Sequence, residues 1–129
     1  MAELINAPAD DEVVMGSATT SLMYLFTQAL LPGVKPGDEI VVTNTDHEAN
    51  IGCWMRLRSA GAVVKVWEVN HQTLELDLTD LDRLLSTRTT WVAMTHASNI
   101  LGTVNPVAEV AQRVHAVGGR LCVDAVAYA

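Results

Sequence analysis

Apolar and polar residues alternate along the chain in two distinct patterns. Short apolar runs rich in β-branched residues predict strands at residues 39–43, 62–69, 89–95 and 120–123. Segments with helical spacing of apolar residues predict helices at residues 20–31, 49–60, 77–85 and 105–117. Strands separated by helices imply parallel crossover connections, and apolar strands are typical of a sheet covered on both faces. The sequence therefore predicts an α/β fold: a three-layer α/β/α sandwich with a mainly parallel sheet.

Turn and cap residues mark the ends of these helices. Gly61 and Gly118 predict where the second and fourth helices end. Asn105, followed by proline, predicts the start of the fourth helix, with the asparagine side chain as its cap. Thr79 and Asp82 approximate a capping box for the third helix.

The composition indicates one folded domain. Half of the 129 residues are hydrophobic, enough to build a core, and 18% are charged, too few for a disordered chain. Residues 1–13 are acidic and contain a proline, so we expect a loose N-terminal lead-in there. Residues 14–129 are then expected to form the domain.

The net charge of −7 argues against nucleic acid or an anionic membrane as a partner, because such surfaces bind clustered Lys and Arg. The N-terminus lacks the basic start of a signal peptide, and no apolar run is long enough to cross a bilayer. We therefore expect a cytoplasmic protein, in which Cys53 and Cys122 are reduced packing residues.

Polar side chains follow each predicted strand, where open parallel sheets bind their ligands. They are Asp46, His47 and Asn50 after the first strand, Asn70 and His71 after the second, His96, Ser98 and Asn99 after the third, and Asp124 after the fourth. Loops are polar in any protein, so no single residue decides the matter. Together these residues predict one site on one rim of the sheet.

The segment Gly-Ser-Ala-Thr-Thr-Ser, residues 16–21, lies at the start of the first helix. Small and hydroxyl residues at this position bind a phosphate through backbone amides and hydroxyls. They also serve as an ordinary N-cap, which needs only one of them. The segment is not a Walker loop, because no Gly-Lys-Ser/Thr follows it.

Two further residues have both a functional and a structural interpretation. Asp124 follows an apolar run, so we expect its carboxylate to be partly buried and to need a partner. A protonated ring nitrogen of a cofactor, an arginine or a capped loop would each serve. His47 stands near the start of the second helix, where it stacks on a planar ligand, relays protons or caps the helix.

The sequence resembles the class V aminotransferase and cysteine desulfurase family, and is most similar to the cysteine desulfurase-like branch. The motifs that carry the resemblance are Gly-Ser-Ala-Thr-Thr-Ser-Leu (16–22), Lys-Pro-Gly-Asp-Glu-Ile-Val-Val (35–42), Asp-His-Glu-Ala-Asn (46–50), His-Ala-Ser-Asn-Ile-Leu-Gly-Thr-Val-Asn-Pro-Val (96–107) and Val-Asp-Ala-Val-Ala-Tyr-Ala (123–129). They occur in order and cover nearly the whole chain.

The resemblance implies a cofactor, pyridoxal 5'-phosphate, and a role for each matching residue. Thr19 and Thr20 match the pair that binds the cofactor phosphate, and His47 matches the histidine that stacks on the pyridine ring and relays protons. Asn99 matches the asparagine near the phenolic oxygen and the substrate. Asp124 matches the aspartate that pairs with the ring nitrogen, which keeps the ring able to accept electrons.

The sequence departs from the family pattern in two places. Many desulfurases have a glutamine three residues after the aspartate, where this chain has Ala127. The family's Schiff-base lysine is absent: Lys35 precedes the first strand and Lys65 lies inside the second. The family's small C-terminal domain is also absent, so we expect a fragment of the large cofactor domain.

These resemblances imply a parent enzyme that acts on an amino acid through a cofactor imine, by transamination, desulfuration, racemisation or elimination. The chain alone is expected to be inactive and to form homodimers or self-associate. Two alternatives stay open: a noncatalytic assembly domain that binds phosphate or cofactor weakly, and a metal-dependent hydrolase. The hydrolase would use Asp46, His47, His96 and Asp124.

Overall fold

A four-stranded sheet forms the centre of the molecule, whose computed structural model describes all residues from 1 to 129. The strands are β1 (Glu39–Thr43), β2 (Val63–Trp67), β3 (Thr89–Thr95) and β4 (Arg120–Asp124). All three neighbouring pairs are parallel, and the order across the sheet is β2-β1-β3-β4. The predicted α/β class with a parallel sheet is confirmed.

The strands form where the sequence is rich in apolar, β-branched residues. In β1 all five residues are buried, since the strand has a neighbour on each side and a helical layer on each face. β2 and β4 lie at the two edges and are buried less completely. The short continuous apolar runs were therefore the correct signal for strands.

Helices cover both faces of the sheet. They are α1 (Thr19–Leu30), α2 (Glu48–Met55), α3 (Leu78–Leu84) and α4 (Val107–Ala116). α1 and α2 pack on one face, where Trp54 of α2 meets Ile40 and Val42 of β1. α3 and α4 pack on the other face, where Leu81 and Val110 belong to the same cluster as Val41 of β1. The three predicted layers are present.

The strand order creates a crevice between β1 and β3. The chain leaves β1 through α2 on one face and reaches β2, whereas it leaves β3 through α4 on the other face and reaches β4. Neighbouring strands whose connections diverge in this way leave a gap beyond their carboxyl ends, where open α/β sheets bind ligands.

Two of the predicted helix caps are wrong. Asp77, rather than Thr79, caps α3, because its carboxylate accepts a 2.7 Å hydrogen bond from the Thr79 backbone N–H. No side chain caps α4, which begins at Val107. Asn105 is buried, and its amide instead donates to the Thr95 carbonyl at 2.9 Å, satisfying the end of β3.

The predicted ends of α2 and α4 hold in part. Gly118 adopts a φ of 83° directly after α4, a conformation that glycine reaches without strain. The α-helical hydrogen bonding of α2 ends at Met55, and a 3-10 helix, Arg56–Ala60, continues to Gly61. Apolar spacing does not separate these two helix types over so short a length.

The first 18 residues contain two short 3-10 turns, Glu3–Ile5 and Asp10–Glu12. Five of their large apolar side chains are exposed: Met1, Leu4, Ile5, Val14 and Met15. Elsewhere the helices are short, and none combines the length and apolarity needed to cross a membrane.

Both cysteines are free and lie in the layer between the sheet and α2. Burial raises the pKa of the Cys53 thiol, and it raises the pKa of the Cys122 thiol to about 12. Both groups are therefore protonated at neutral pH and act as packing residues, as the sequence predicts.

A buried charge cluster lies at the amino ends of the strands, opposite the carboxyl ends where open α/β sheets bind ligands. Glu39 is 2% exposed and accepts hydrogen bonds from Lys65 at 2.6 Å, from the Ser86 hydroxyl at 2.6 Å and from Arg88 at 2.8 Å. Burial of the carboxyl opposes its ionisation, but these bonds outweigh burial and lower the Glu39 pKa from 4.5 to about 2. Lys65 thus has a structural partner at this end of the sheet.

Candidate functional site

A cavity of about 220 Å³ lies beyond the carboxyl ends of β3 and β4. Its wall includes all five residues that the family resemblance assigns to the cofactor: Thr19, Thr20, His47, Asn99 and Asp124. Ala49, Thr95, Ala97, Val126 and Ala127 complete it. The cavity is only partly enclosed, and it is somewhat smaller than the roughly 300–1,000 Å³ typical of sites for larger ligands.

The N-terminus of α1 forms part of the wall of this cavity. Ala18 is the N-cap, and no side chain caps the helix. The first backbone N–H groups of a helix have no partner within the helix, and they carry the positive end of its dipole. The N-cap alternative for this segment therefore does not hold, and the uncapped amides and hydroxyls of Thr19 and Thr20 suit an anion such as a phosphate.

His47 is the N-cap of α2 and also lines the cavity. Its Nδ1 atom accepts a hydrogen bond from the Ala49 backbone N–H at 3.1 Å. Because Nδ1 accepts, the neutral ring carries its proton on Nε2. The capping interaction thus orients the ring, while His47 remains exposed and available to a ligand.

Asp124 is the last residue of β4 and lies on the wall of the cavity. One carboxylate oxygen accepts a 3.0 Å hydrogen bond from the Val126 backbone N–H, and the other has no hydrogen-bond partner within the chain. The Asp124 backbone carbonyl accepts bonds from the His96 N–H and the Thr95 hydroxyl, which ties it to β3. A fixed, half-buried carboxylate with one free oxygen suits a cationic N–H donor.

Asn99 lies in a loop after β3 that Ser98 holds in place. The buried Ser98 hydroxyl donates to the Thr45 carbonyl at 3.2 Å and accepts from the backbone N–H groups of Ile100 and Leu101 at 3.3 and 3.2 Å. Ser98 therefore connects the loop that carries Asn99 to the loop after β1.

Replacing Ser98 with alanine should lower the free energy of unfolding by about 1–2 kcal/mol, because Thr45 loses a donor and two amides lose an acceptor. Amide hydrogen exchange should accelerate at Asn99 through Leu101 before it changes in β1. Ser59→Ala is the matched control, since Ser59 is exposed and makes one local bond. Unchanged exchange in this loop would show that Ser98 does not hold it.

The structure does not bring every predicted strand-end residue into the cavity. Asn70 and His71 lie in an exposed turn after edge strand β2, where Asn70 accepts from the Gln72 N–H. His96 stacks on Tyr128 with 3.5 Å between the ring centroids and does not line the cavity. The four predicted strand ends therefore do not share one site.

The metal-dependent hydrolase alternative finds no support in this geometry. No group of three or more His, Cys, Asp or Glu side chains is placed to hold a metal ion. Both oxygens of Asp46 are already engaged by protein donors, and His96 is stacked on Tyr128.

One residue on the cavity wall was not singled out from the sequence. Thr95, the last residue of β3, lines the cavity beside Asp124, its partner in the strand register. Thr95 and Asp124 point to the same side of the sheet, and this shared direction could have identified Thr95 as a wall residue. Asp46, which the sequence places among the polar residues after the first strand, is buried and does not line the cavity.

Together these groups give the cavity a wall with polar and apolar parts. Its polar parts include the uncapped amides and hydroxyls of α1 and the free carboxylate oxygen of Asp124. The apolar part of the wall consists of Ala49, Ala97, Val126 and Ala127. This arrangement suits a flat ring that carries a phosphate on one side and a protonated nitrogen on the other.

Comparison with known proteins gives a family and several relatives. A sequence model described as aminotransferase class-V matches residues 1–129. The aminotransferase-like protein FGM3 of Gibberella zeae is 42% identical over 133 residues, covering 99% of this chain and 32% of that protein. A cysteine desulfurase of Dickeya dadantii is 36% identical over 126 residues, covering 96% of this chain and 30% of that protein. The chain thus spans about a third of the length of these curated relatives.

Two solved structures share the fold closely. The cysteine desulfurase CsdA of Escherichia coli superposes with a TM-score of 0.86 at 32% identity, covering 95% of this chain and 31% of that one. A cysteine desulfurase of Thermococcus onnurineus gives a TM-score of 0.87 at 30% identity, covering 96% and 30%.

Proposed function

Because the chain belongs to the aminotransferase class-V family, we propose that it forms the cofactor-binding part of an enzyme that uses pyridoxal 5'-phosphate to act on an amino acid. Members of this family generally depend on that cofactor. One observation carries the proposal: the uncapped N-terminus of α1 and the free oxygen of Asp124 lie on the same small cavity.

The residues present fit the cofactor at its phosphate end. The first-turn N–H groups of α1 and the hydroxyls of Thr19 and Thr20 would hold the phosphate. No acidic residue lies in the first turn of this helix, so none repels an anion there. This end of the cavity selects a phosphorylated ligand over its unphosphorylated counterpart.

The residues at the other end fit the pyridine ring. Asp124 would accept a hydrogen bond from the ring nitrogen and keep it protonated. His47 would lie against the ring, with Nδ1 engaged by its own helix and Nε2 available to donate. Asn99 would contact the phenolic oxygen of the cofactor. Ala127, which also lines the cavity, has no polar group to offer that oxygen. When bound, the ring supplies an electron sink for a substrate carbanion.

Neither lysine of this chain lies on the cavity. Lys65 is held by Glu39 at 2.6 Å and by the Leu84 carbonyl at 2.8 Å, and Lys35 lies in the turn before β1. We therefore propose that this polypeptide holds the cofactor without a covalent bond at the cavity and has no turnover by itself. The amino-acid substrate and the reaction are proposals for the whole enzyme.

The test is equilibrium dialysis of the protein against pyridoxal phosphate and, separately, pyridoxal. We expect saturable binding that favours the phosphate by at least about tenfold, the gain expected from charge-assisted bonds to the phosphate. Thr20→Val should reduce this preference. Thr87→Val, in an exposed turn outside the cavity, is the matched control. Equal affinity for both ligands, or no saturable binding, would refute the proposal.

A further inference from the structure

Asp46 lies in the loop after β1, where it contacts the last residue of β3. It is 6% exposed, and it does not line the cavity itself. One carboxylate oxygen accepts from the Thr43 hydroxyl at 2.6 Å and from the Thr95 backbone N–H at 2.9 Å. The other accepts from the Asn50 side-chain amide at 2.6 Å. Asp46 therefore joins β1, β3 and α2 through one side chain.

All three partners donate to Asp46, which an ionised carboxylate accommodates and an amide does not. Asn50 is fully buried, and its other side-chain atom, Oδ1, has no hydrogen-bond partner. The bond to Asp46 is thus the one hydrogen bond that fixes the Asn50 side chain. Since Asn50 lies in the first turn of α2, this bond sets how that turn sits on the sheet.

His47 depends on this turn for its position. It directly follows Asp46, its side chain is exposed, and its hydrogen bond is to the N–H of Ala49 within the same turn. A shift of the first turn of α2 against β3 therefore moves the ring relative to Asp124, which is anchored to β3.

We propose that Asp46 is a positioning residue that fixes the His47 ring against the cavity by tying the first turn of α2 to the end of β3. The importance of the ring for cofactor binding rests on the proposed function. The geometric part of the inference, that Asp46 sets the position of His47, stands independently of it.

The environment of Asp46 indicates that its charge is not there for stability alone. Burial raises the pKa of Asp46 and the nearby charge of Asp124 adds to this, while its hydrogen bonds oppose the rise. A carboxyl whose pKa is raised on folding makes the folded state less stable as pH rises through that range, because the folded state resists ionisation. A buried carboxyl with a raised pKa beside a ligand cavity is typical of functional sites.

The test compares Asp46→Asn with Asp77→Asn in the full chain. Asp77 is a matched control, because it also accepts from the first turn of a short helix but lies outside the cavity. Imidazole ¹H–¹⁵N correlation spectra are recorded without ligand at about pH 8, above the usual titration range of histidine. Affinity for pyridoxal phosphate is then measured by equilibrium dialysis.

We expect the His47 ring resonances of the unsubstituted protein and of Asp77→Asn to coincide, and those of Asp46→Asn to be displaced, because the turn that carries the ring then lies differently against β3. The dissociation constant should rise about tenfold in Asp46→Asn alone. If Asp46→Asn does not fold, Asn50→Ala serves in its place, because it removes only the hydrogen bond from Asp46 to α2. It should give the altered His47 ring spectra and the weaker cofactor binding expected of Asp46→Asn.

The outcomes separate the two proposals. If the His47 spectra of the folded test variant match those of the unsubstituted protein, Asp46 does not position the ring, whatever the affinity. If the unsubstituted protein binds no pyridoxal phosphate, the proposed function fails while the spectra still decide the role of Asp46.

Discussion

Replacing Asp124 with asparagine should weaken the binding of pyridoxal phosphate by roughly tenfold to a hundredfold, or about 1.5–3 kcal/mol. The asparagine oxygen can still accept from the Val126 N–H, so the local turn after β4 is retained. The amide group would then present donors instead of a free carboxylate oxygen to the protonated ring nitrogen. Equilibrium dialysis measures the loss of affinity directly.

Asp80→Asn is the charge-matched control for this substitution. Asp80 lies on α3, on the opposite face of the sheet, and pairs with the exposed Arg83. Both variants change the net charge equally, so a general electrostatic effect on an anionic ligand would appear in both. Equal affinities in the two variants would mean that Asp124 does not contact the ligand.

Replacing Glu39 with glutamine should lower the free energy of unfolding by about 3 kcal/mol at neutral pH. The glutamine cannot accept from Lys65, Ser86 and Arg88 together, because its amide nitrogen donates. Arg88 is largely exposed, so water hydrates its unpaired guanidinium in the variant. The loss of unfolding free energy therefore stays at the lower end of the range for broken buried pairs. Urea denaturation monitored by tryptophan fluorescence measures the difference.

The same substitution should also change how stability depends on pH. The Glu39 pKa is about 2 in the folded protein and 4.5 in its usual state, so its contribution is complete above 4.5 and is lost as pH falls toward 2. The stability gap between the protein and Glu39→Gln should therefore narrow over this interval. Glu75→Gln, at an exposed position, is the control. A gap independent of pH would show that the Glu39 charge does not stabilise the fold.

The sequence was sufficient for the strands and the layers. β1 occupies the predicted residues 39–43, because its short β-branched run is typical of a strand covered on both faces, and all five residues are buried there. Helix caps were less predictable. Asn105 has the side chain of an N-cap, yet the buried carbonyl of Thr95 takes its amide. Local cap preferences are worth only about 1 kcal/mol, so a tertiary hydrogen bond overrides them.

The candidate site was predictable in part from the rule that open parallel sheets bind ligands beyond the carboxyl ends of their strands. His47, Asn99 and Asp124 follow strands and line the cavity. Asn70 and His71 follow a strand as well, but β2 lies at the sheet edge, two strands away from β3. Strand order depends on which pairs form across the sheet, and the pattern of one strand carries no information about its neighbours.

Burial within a loop was the other unpredictable property. Asp46 and His47 are adjacent and equally polar in the sequence, yet Asp46 is buried and His47 is exposed. The difference arises because Thr43, Thr95 and Asn50 supply donors to Asp46 from three separate elements. Such a convergence exists only after the chain has folded, so it has no local signature.

Backbone amide NMR during a titration with pyridoxal phosphate tests most directly whether a single cavity binds one phosphorylated ring. The largest shift changes should occur at Thr19 and Thr20 of α1 and at Asp124 and Val126 at the end of β4 and beyond it, all of which line the cavity. The amide of Lys65 in β2, outside the cavity, should stay unchanged. Changes confined to one of these two segments, or centred on either lysine, would contradict a single site that both segments form.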